Sequence, residues 1–189
     1  EDEATNAAAY LEKMIALLRQ DGLRFPGNRT VNFDQLTPLS NSILHAEGMW
    51  KAGGEERRVA VSFGPQYGPI TAKQVEESLR EAYRRGYDDL VFAGFTIDGA
   101  AQAIIQEDQN PEVRCHLAHI RPDVNMGDLL KDTPSSQLFT VFGLPRVRLE
   151  STGEDEWVVE MEGVDIYDPV RNTIQATKAG KVAAWFLDS

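Results

Sequence analysis

The fold is decided by the stretch from Val59 to Asn125, in which apolar runs alternate with helical patterns. Its clearest run is Leu90-Val91-Phe92-Ala93-Gly94-Phe95, a continuous apolar strand of the kind that is buried on both faces. The predicted elements alternate strand and helix in the order Val59–Phe63, Ala72–Arg85, Leu90–Phe95, Ala100–Gln106 and Val113–Ile120. Alternation of this kind predicts a small parallel sheet with helices packed on it.

The first of these helices has clear signals at both ends. Thr71 is the predicted N-cap, with Gln74 three residues later in a capping-box pattern. Gly86 is the predicted left-handed residue at the C-terminal end. The residues predicted to face the sheet are Val75, Leu79, Ala82 and Tyr83.

The flanking segments complete the predicted architecture. Ala4–Gln20 has the spacing of an amphipathic helix, and Leu23–Asn41, rich in Pro, Gly and Asn, is predicted to be a long loop or linker. Ile43–Lys51 and Arg58–Phe63 are predicted to form a hairpin. The short apolar runs after Asn125 are predicted to form antiparallel hairpins, which either extend the central sheet or build a small sheet beside it; they are Leu138–Phe142, Val147–Leu149, Trp157–Met161, Thr173–Thr177 and Val182–Leu187.

The predicted class is therefore α/β (α+β). It has a three-layer-like core with a short parallel βαβαβ unit, an antiparallel β extension and an N-terminal helix. Residues 1–41 are expected to be the helix and linker, and residues 42–189 an α/β domain. Neither end has the look of a natural terminus, so we expect a fragment of a longer protein.

Composition narrows the class of protein. The 189 residues are 42% hydrophobic and 26% charged, which is ordinary for a soluble globular domain. The lone Cys115 excludes an internal disulfide and fits a reducing compartment, so a cytoplasmic location is expected. No run approaches the ~18 apolar residues of a membrane span, so no membrane partner is expected. The net charge of −11 disfavours non-specific nucleic-acid binding, although local arginine clusters leave open a positive strip on an acidic body.

Two metal-site hypotheses can be weighed from residue types. Asp98 after one strand and Glu112-Val113-Arg114 on the next resemble the carboxylates of Mg²⁺-dependent nucleases, but Arg114 replaces the usual Lys and is a poor substitute. The run from Cys115 to His119 suggests zinc, yet His116 and His119 should point to opposite faces of a strand. No metal site is predicted. Asp98 itself is predicted to cap the following helix.

Several longer runs carry a resemblance to a known family. The chain resembles a carboxyl-terminal region of bacterial and archaeal site-specific, adenine-specific DNA methyltransferases of the type III modification-subunit style. The match extends from about Ile43 to the end of the chain, and its most specific part is His119–Leu130. The runs that carry it are Gly64–Pro69, Phe92–Phe95, Asp98–Gln102, His119–Leu130 and Val164–Pro169.

In that family, S-adenosylmethionine binds a Phe-x-Gly-x-Gly motif, and Asp-Pro-Pro-Tyr positions the flipped adenine. Here Phe92-Ala93-Gly94-Phe95-Thr96 lacks the second Gly, and Asp168-Pro169-Val170-Arg171 lacks the second Pro and the Tyr. The resemblance thus implies a non-catalytic accessory domain, with no cofactor in this fragment and S-adenosylmethionine bound by the parent protein. The partners that the resemblance implies are DNA, reached through the parent protein, and other subunits or domains of a restriction–modification system. A homodimer is also possible.

The candidate ligand- or partner-binding residues cluster where the parallel strands are predicted to end, because sites in open α/β sheets form outside the carboxyl ends of strands. Those ends are Gly64–Thr71, Thr96–Gly99 and Arg121–Asn125. The candidate residues are Asp98, Gln102, His119, Arg121, Asp123 and Asn125. Two alternative functions stay open: a nuclease-like, degenerate metal-dependent domain, and a pure protein-interaction module.

Overall fold

The structure is a computed structural model that describes residues 2–107, 112–121, 138–153 and 156–182. Its helices are α1 (Asp2–Asp21), α2 (Ala72–Arg85) and α3 (Gly99–Glu107), followed late in the chain by a short 3-10 helix, Ala179–Lys181. Its strands are β1 (Leu23–Phe25), β2 (Arg29–Val31), β3 (Phe33–Pro38), β4 (Ala46–Ala52), β5 (Glu55–Phe63), β6 (Asp89–Gly94), β7 (Arg114–Ile120), β8 (Phe139–Val141), β9 (Leu144–Ser151), β10 (Trp157–Asp168) and β11 (Thr173–Ala176).

The parallel unit predicted from the alternating pattern is present. Strands β5 and β6 pair in parallel with Val59 opposite Asp89, and β6 pairs in parallel with β7 with Asp89 opposite Arg114. Helices α2 and α3 make the two crossovers. The sheet also contains antiparallel pairs, so the predicted mixed α/β class is confirmed.

Helix α2 begins and ends where its capping residues predict. The Thr71 hydroxyl accepts a hydrogen bond from the Gln74 N–H at 3.3 Å, and Gly86 adopts φ 68° just past the last turn. The prediction for Tyr83 is wrong, because its side chain is 52% exposed. Eight residues advance a helix by about 80° beyond two full turns, which carries Tyr83 away from the face on which Val75 is buried.

The segment predicted to be a loop, Leu23–Asn41, instead supplies three strands, β1, β2 and β3. Strands β1 and β2 form a hairpin whose turn contains Gly27 at φ 80° and Asn28 at φ 64°. Strand β3 pairs antiparallel with β4. The loop prediction is wrong because Pro26-Gly27-Asn28 marks a tight turn between strands of only three residues each, too short to show a period.

The main sheet has eight strands in the order β2-β1-β8-β7-β6-β5-β4-β3, and helices cover both of its faces. Helix α1 packs on one face through Met14, Ile15 and Leu18, and Arg19 fixes it to the Leu36 carbonyl at 2.9 and 2.6 Å. Helices α2 and α3 cover the other face through residues such as Val75 and Ile105. The result is the expected arrangement of three layers.

Both alternatives for the predicted strands after Asn125 are realised among the described residues; the last predicted run, Val182–Leu187, lies outside them beyond Val182. Strand β8 extends the main sheet, where it lies between β1 and β7. Strands β9, β10 and β11 form a separate antiparallel sheet. The base of this second sheet contacts the main body: Tyr167 is buried beside Phe25, with ring centroids 5.4 Å apart, and the Gly53 N–H donates to the Pro169 carbonyl at 3.0 Å.

Hydropathy of the helices bears on membrane association. In the described ranges, no helix combines the length and the apolar character that crossing a bilayer requires.

Candidate functional site

A cavity of about 1070 Å³ opens at the carboxyl end of β5, between helix α1 and the connection from β5 to α2. This is the edge of the sheet at which the sequence predicts a site. The wall is mostly apolar. Its charged residues in the described ranges are Lys13, Lys73 and Glu77, of which Lys73 and Glu77 lie 3.8 Å apart as an ion pair. The apolar lining residues are Ala7, Ala9, Leu11, Met14, Ile43, Phe63, Pro65 and Pro69.

The floor of the cavity is the backbone that leaves β5. The Gly64 N–H donates to the Ala93 carbonyl at 2.7 Å, which prolongs the parallel pairing by one residue. A Cβ on Gly64 would lie 2.8 Å from the Ile70 side chain, so only glycine fits there. From the opposite side, the Tyr10 hydroxyl donates to the Gly64 carbonyl at 3.3 Å, and burial raises the pKa of Tyr10 to about 12. Helix α1 is thereby joined to the floor of the cavity.

His45 is the lining residue with the most informative hydrogen bond. Its Nδ1 accepts the backbone N–H of Phe63 at 2.8 Å, so the proton of the neutral ring is on Nε2. Burial lowers the pKa of His45, which favours this neutral form. The ring stacks on Phe63 with centroids 6.3 Å apart. Within the described residues, no hydrogen bond to Nε2 is formed, so this N–H is a donor that the chain itself does not use.

Gln74, another polar residue of the lining, is held inside the fold by side-chain hydrogen bonds. The Gln74 side-chain amide donates to Ser62 Oγ at 3.0 Å and to the Phe63 carbonyl at 2.8 Å. The same Ser62 hydroxyl accepts from Ser78 Oγ at 3.1 Å. These bonds fix the start of α2 against β5, and they explain why Gln74 does not complete the predicted capping box.

Four of the six candidate residues predicted from the sequence are described by the structure; they lie at the same sheet edge but do not line this cavity. Asp98 and Gln102 lie at the start of α3, and the Asp98 N–H donates to the Ile70 carbonyl at 3.0 Å. The carboxylate of Asp98 is exposed and accepts no hydrogen bond in the part of the chain that is described, so the cap predicted for it is not formed. Arg121 follows β7.

His119, near the carboxyl end of β7, packs edge-on against Phe142 with ring centroids 5.1 Å apart. Burial lowers its pKa, so its neutral form is favoured. The two remaining candidates, Asp123 and Asn125, lie outside the described residues.

The structure keeps the hypothetical metal ligands apart. Asp98 follows the carboxyl end of β6, whereas Glu112 precedes the amino end of β7, and these two strands run in parallel. Strands of this length separate such positions by roughly 20 Å, which is too far for one Mg²⁺. His116 packs against Phe25 on the α1 side, away from His119. No group of three or more potential metal ligands occurs in the described ranges.

A buried polar cluster at the opposite edge was not predicted. Asp89, the first residue of β6, is fully buried, and its Oδ1 lies 2.8 Å from His116 Nε2. Its Oδ2 accepts from Arg57 Nε at 2.6 Å and from Trp50 Nε1 at 3.2 Å. Burial alone would raise the pKa of Asp89, but the hydrogen bonds and charges of His116 and Arg57 outweigh burial and lower it. One feature of the sequence could have indicated this cluster: a carboxylate, Asp89, is the first residue of an otherwise apolar strand.

The two runs that most resemble methyltransferase motifs are occupied by contacts within the chain. A Cβ on Gly94 would lie 2.8 Å from Ile70 Cδ1, so the Ile70 side chain covers the backbone that a cofactor would have to approach. The buried Asp168 carboxylate accepts the N–H of Val170 at 2.9 Å and of Arg171 at 3.3 Å, and it forms an ion pair with Arg29. Asp168 therefore fixes the turn from β10 to β11.

Most of the arginines that suggested a positive strip have partners in the structure. Arg84 and Arg85 both bind Glu81, at 2.7 and 2.5 Å. Arg148 binds Glu162 at 2.6 Å, and Arg58 lies over the Tyr87 ring at 4.7 Å. Arg84 and Arg85 share one carboxylate and Arg58 stacks on a ring, so these contacts reduce the positive field that could attract phosphates without cancelling it.

An exposed apolar strip runs along one face of the β9–β10 hairpin. Leu149 opposes Val159, and Val147 opposes Met161, so these four side chains share a face with Trp157. Leu149 is 61% exposed and Trp157 is 63% exposed. We call these residues the apolar strip; they are Val147, Leu149, Trp157, Val159 and Met161.

Compared with protein-family models, with curated proteins and with solved structures, the chain gives no match.

Proposed function

We propose that this chain is a non-catalytic accessory domain of an adenine-specific DNA methyltransferase, and that it contributes contacts to other domains or subunits. The family rests on the resemblance carried by runs such as His119–Leu130. The role rests on one observation, the apolar strip. Side chains such as Trp157 and Leu149 are more than half exposed and contiguous, which is typical of a surface that another protein covers.

Two further observations support a role without methyl transfer. Ile70 fills the space above Gly94, and the Asp168 carboxylate is used by a turn and by Arg29. A contact role is also supported over direct DNA binding, because arginines such as Arg85 and Arg148 are paired with carboxylates on a chain of net charge −11. DNA is then reached through the parent protein, which supplies S-adenosylmethionine as the methyl donor.

The test combines an activity assay with a binding assay. The purified chain is incubated with DNA and S-adenosylmethionine, and no methyl transfer is expected. It is then titrated into a polypeptide from the same genome that carries both Phe-x-Gly-x-Gly and Asp-Pro-Pro-Tyr. We expect Leu149→Glu to weaken that association about tenfold or more, because it introduces a charge into a desolvated contact.

The matched control is Val158→Glu. Val158 is 50% exposed on the same hairpin, but it is paired with Glu150 and points to the opposite face. This variant should bind within about twofold of the wild type. Turnover by the chain alone would refute the proposal, as would an equal loss of binding in the two variants.

The apolar strip also favours a second candidate, a pure protein-interaction module. In that case the strip pairs with a second copy, and sedimentation of the isolated chain shows a dimer that Leu149→Glu dissociates. A dimer that persists when the methyltransferase polypeptide is added, without a complex forming, would favour this candidate over the first.

A further inference from the structure

The cavity at the end of β5 has features of a small-molecule site that the accessory-domain proposal does not use. Its volume, about 1070 Å³, is slightly above the ~300–1,000 Å³ range of ligand pockets. The wall is formed by apolar residues and prolines, and Tyr67, 83% exposed, stands at its mouth. Apolar walls with a few placed polar groups are typical of sites that bind organic ligands.

Three polar side chains of the lining, Tyr10, His45 and Gln74, differ in whether the chain already uses their donors. Nδ1 of His45 is occupied by the Phe63 N–H, which leaves Nε2–H as a donor. The Tyr10 hydroxyl is engaged with the Gly64 carbonyl, and Gln74 with Ser62. Of these side chains lining the cavity, His45 is therefore the one that offers a hydrogen bond to a guest.

Charge also restricts the guest. Three charged residues of the described chain line the cavity, Lys13, Lys73 and Glu77. Lys73 and Glu77 form an ion pair at 3.8 Å, whereas Lys13 adds a positive charge from helix α1. The lowered pKa of His45 keeps a full positive charge away from the interior at neutral pH. A cationic guest would lose its hydration without gaining a free counter-ion, because Glu77 is already paired with Lys73.

We propose that this cavity binds a ligand with a flat, apolar body and one hydrogen-bond acceptor, and that the acceptor takes the Nε2–H of His45. Flat rings suit a wall made of Phe63, Pro65 and Pro69, with Tyr67 at the entrance. The proposal is independent of the proposed function, because it involves neither the apolar strip nor any methyl transfer.

The test uses two probes of matched shape, acetophenone and ethylbenzene, which differ in a carbonyl acceptor. Each is titrated into the ¹⁵N-labelled chain, and binding is followed by amide chemical shifts. We expect saturable shifts around Gly64 with both probes. In His45→Asn, the side-chain oxygen can still accept the Phe63 N–H, but the Nε2–H donor is lost. Acetophenone should then bind about fivefold more weakly, whereas ethylbenzene should change less than twofold.

A pair of variants on α1 tests the location. Ala7 lines the cavity and Ala8 does not, although both are exposed on the same helix. Ala7→Trp should fill the mouth and reduce the affinity for both probes at least tenfold, whereas Ala8→Trp should leave it unchanged. Since Ala8→Trp carries the same helix substitution, it also reports whether the fold tolerates the change.

Three outcomes would overturn the proposal. They are no saturable binding of either probe, equal affinities in the two tryptophan variants, and the same effect of His45→Asn on both probes. If the wild-type chain self-associates and Ala7→Trp abolishes that association, the cavity is a protein contact and the proposal also fails.

Discussion

Replacing Asp89 with Asn should destabilise the protein more than the same substitution at a neighbouring, more exposed carboxylate. The carboxylate is fully buried and accepts hydrogen bonds from Arg57 at 2.6 Å and Trp50 at 3.2 Å, with His116 at 2.8 Å. Removing one partner of a buried ion pair costs about 3–5 kcal/mol, because the other charge is left uncompensated. The Arg57 side chain is 16% exposed and can recover some hydration, so we expect a loss at the lower end, about 3 kcal/mol.

The assay is urea unfolding followed by tryptophan fluorescence. Trp50 lies inside the cluster, so its emission should change when the cluster unfolds. A loss of about 3 kcal/mol lowers the urea midpoint by roughly 1–2 M and the melting temperature by roughly 6–12 °C. The control is Asp88→Asn, because the Asp88 carboxylate accepts the Arg58 N–H at 2.7 Å near solvent and should cost under about 1 kcal/mol. Equal losses in the two variants, or a loss below about 1 kcal/mol for Asp89→Asn, would refute the reasoning.

Three other predictions concern single positions. The pKa of His45 in the folded state is lowered from 6.5, so the unfolded chain takes up the proton at a higher pH than the folded chain does. The free energy of unfolding should therefore fall as the pH drops below 6.5. His45→Asn should make this pH dependence shallower in urea titrations at a series of pH values. Thr71→Ala removes the cap of α2 and should cost about 1 kcal/mol, which Thr71→Ser should restore, as measured by thermal unfolding. Gly94→Ala places a Cβ 2.8 Å from the Ile70 side chain, and this overpacking should lower the free energy of unfolding by about 1–3 kcal/mol. Adding Ile70→Val should recover part of that stability, and a double variant with no recovery would contradict the steric explanation.

The parallel unit could be predicted from the sequence because its signals are local and mutually consistent. Thr71 and Gly86 bound helix α2, and the apolar run after Asp89 is long enough to mark a strand buried on both faces. Strands β1 and β2 could not be predicted in the same way, because three residues give no period. Their placement depends on pairing with β8, more than a hundred residues later in the chain.

The candidate site could also be predicted only in part, because some of its features follow from local signals and others from packing. Its sheet edge follows from strand direction alone, and the segment Gly64–Thr71 does border the cavity. The residues that give the cavity its character come from elsewhere: Tyr10 from α1 and His45 from the residue before β4. Local patterns do not reveal that a residue such as His45 faces the end of β5, since this depends on how the elements pack. The Asp89 cluster was missed for the same reason, because its three partners lie on three other strands.

The insertion of β8 between β1 and β7 has a consequence for how the chain emerges from the ribosome. Phe25 and Phe139 are 139 − 25 = 114 positions apart, so β1 waits roughly 6–23 seconds for its neighbour at typical elongation rates. During that interval, β1 has unpaired backbone along the edge that β8 later fills, and β7 does so from the time it is synthesised. A nascent chain stalled before Val141 would therefore be prone to aggregation through these edges, and truncated variants that end there should precipitate.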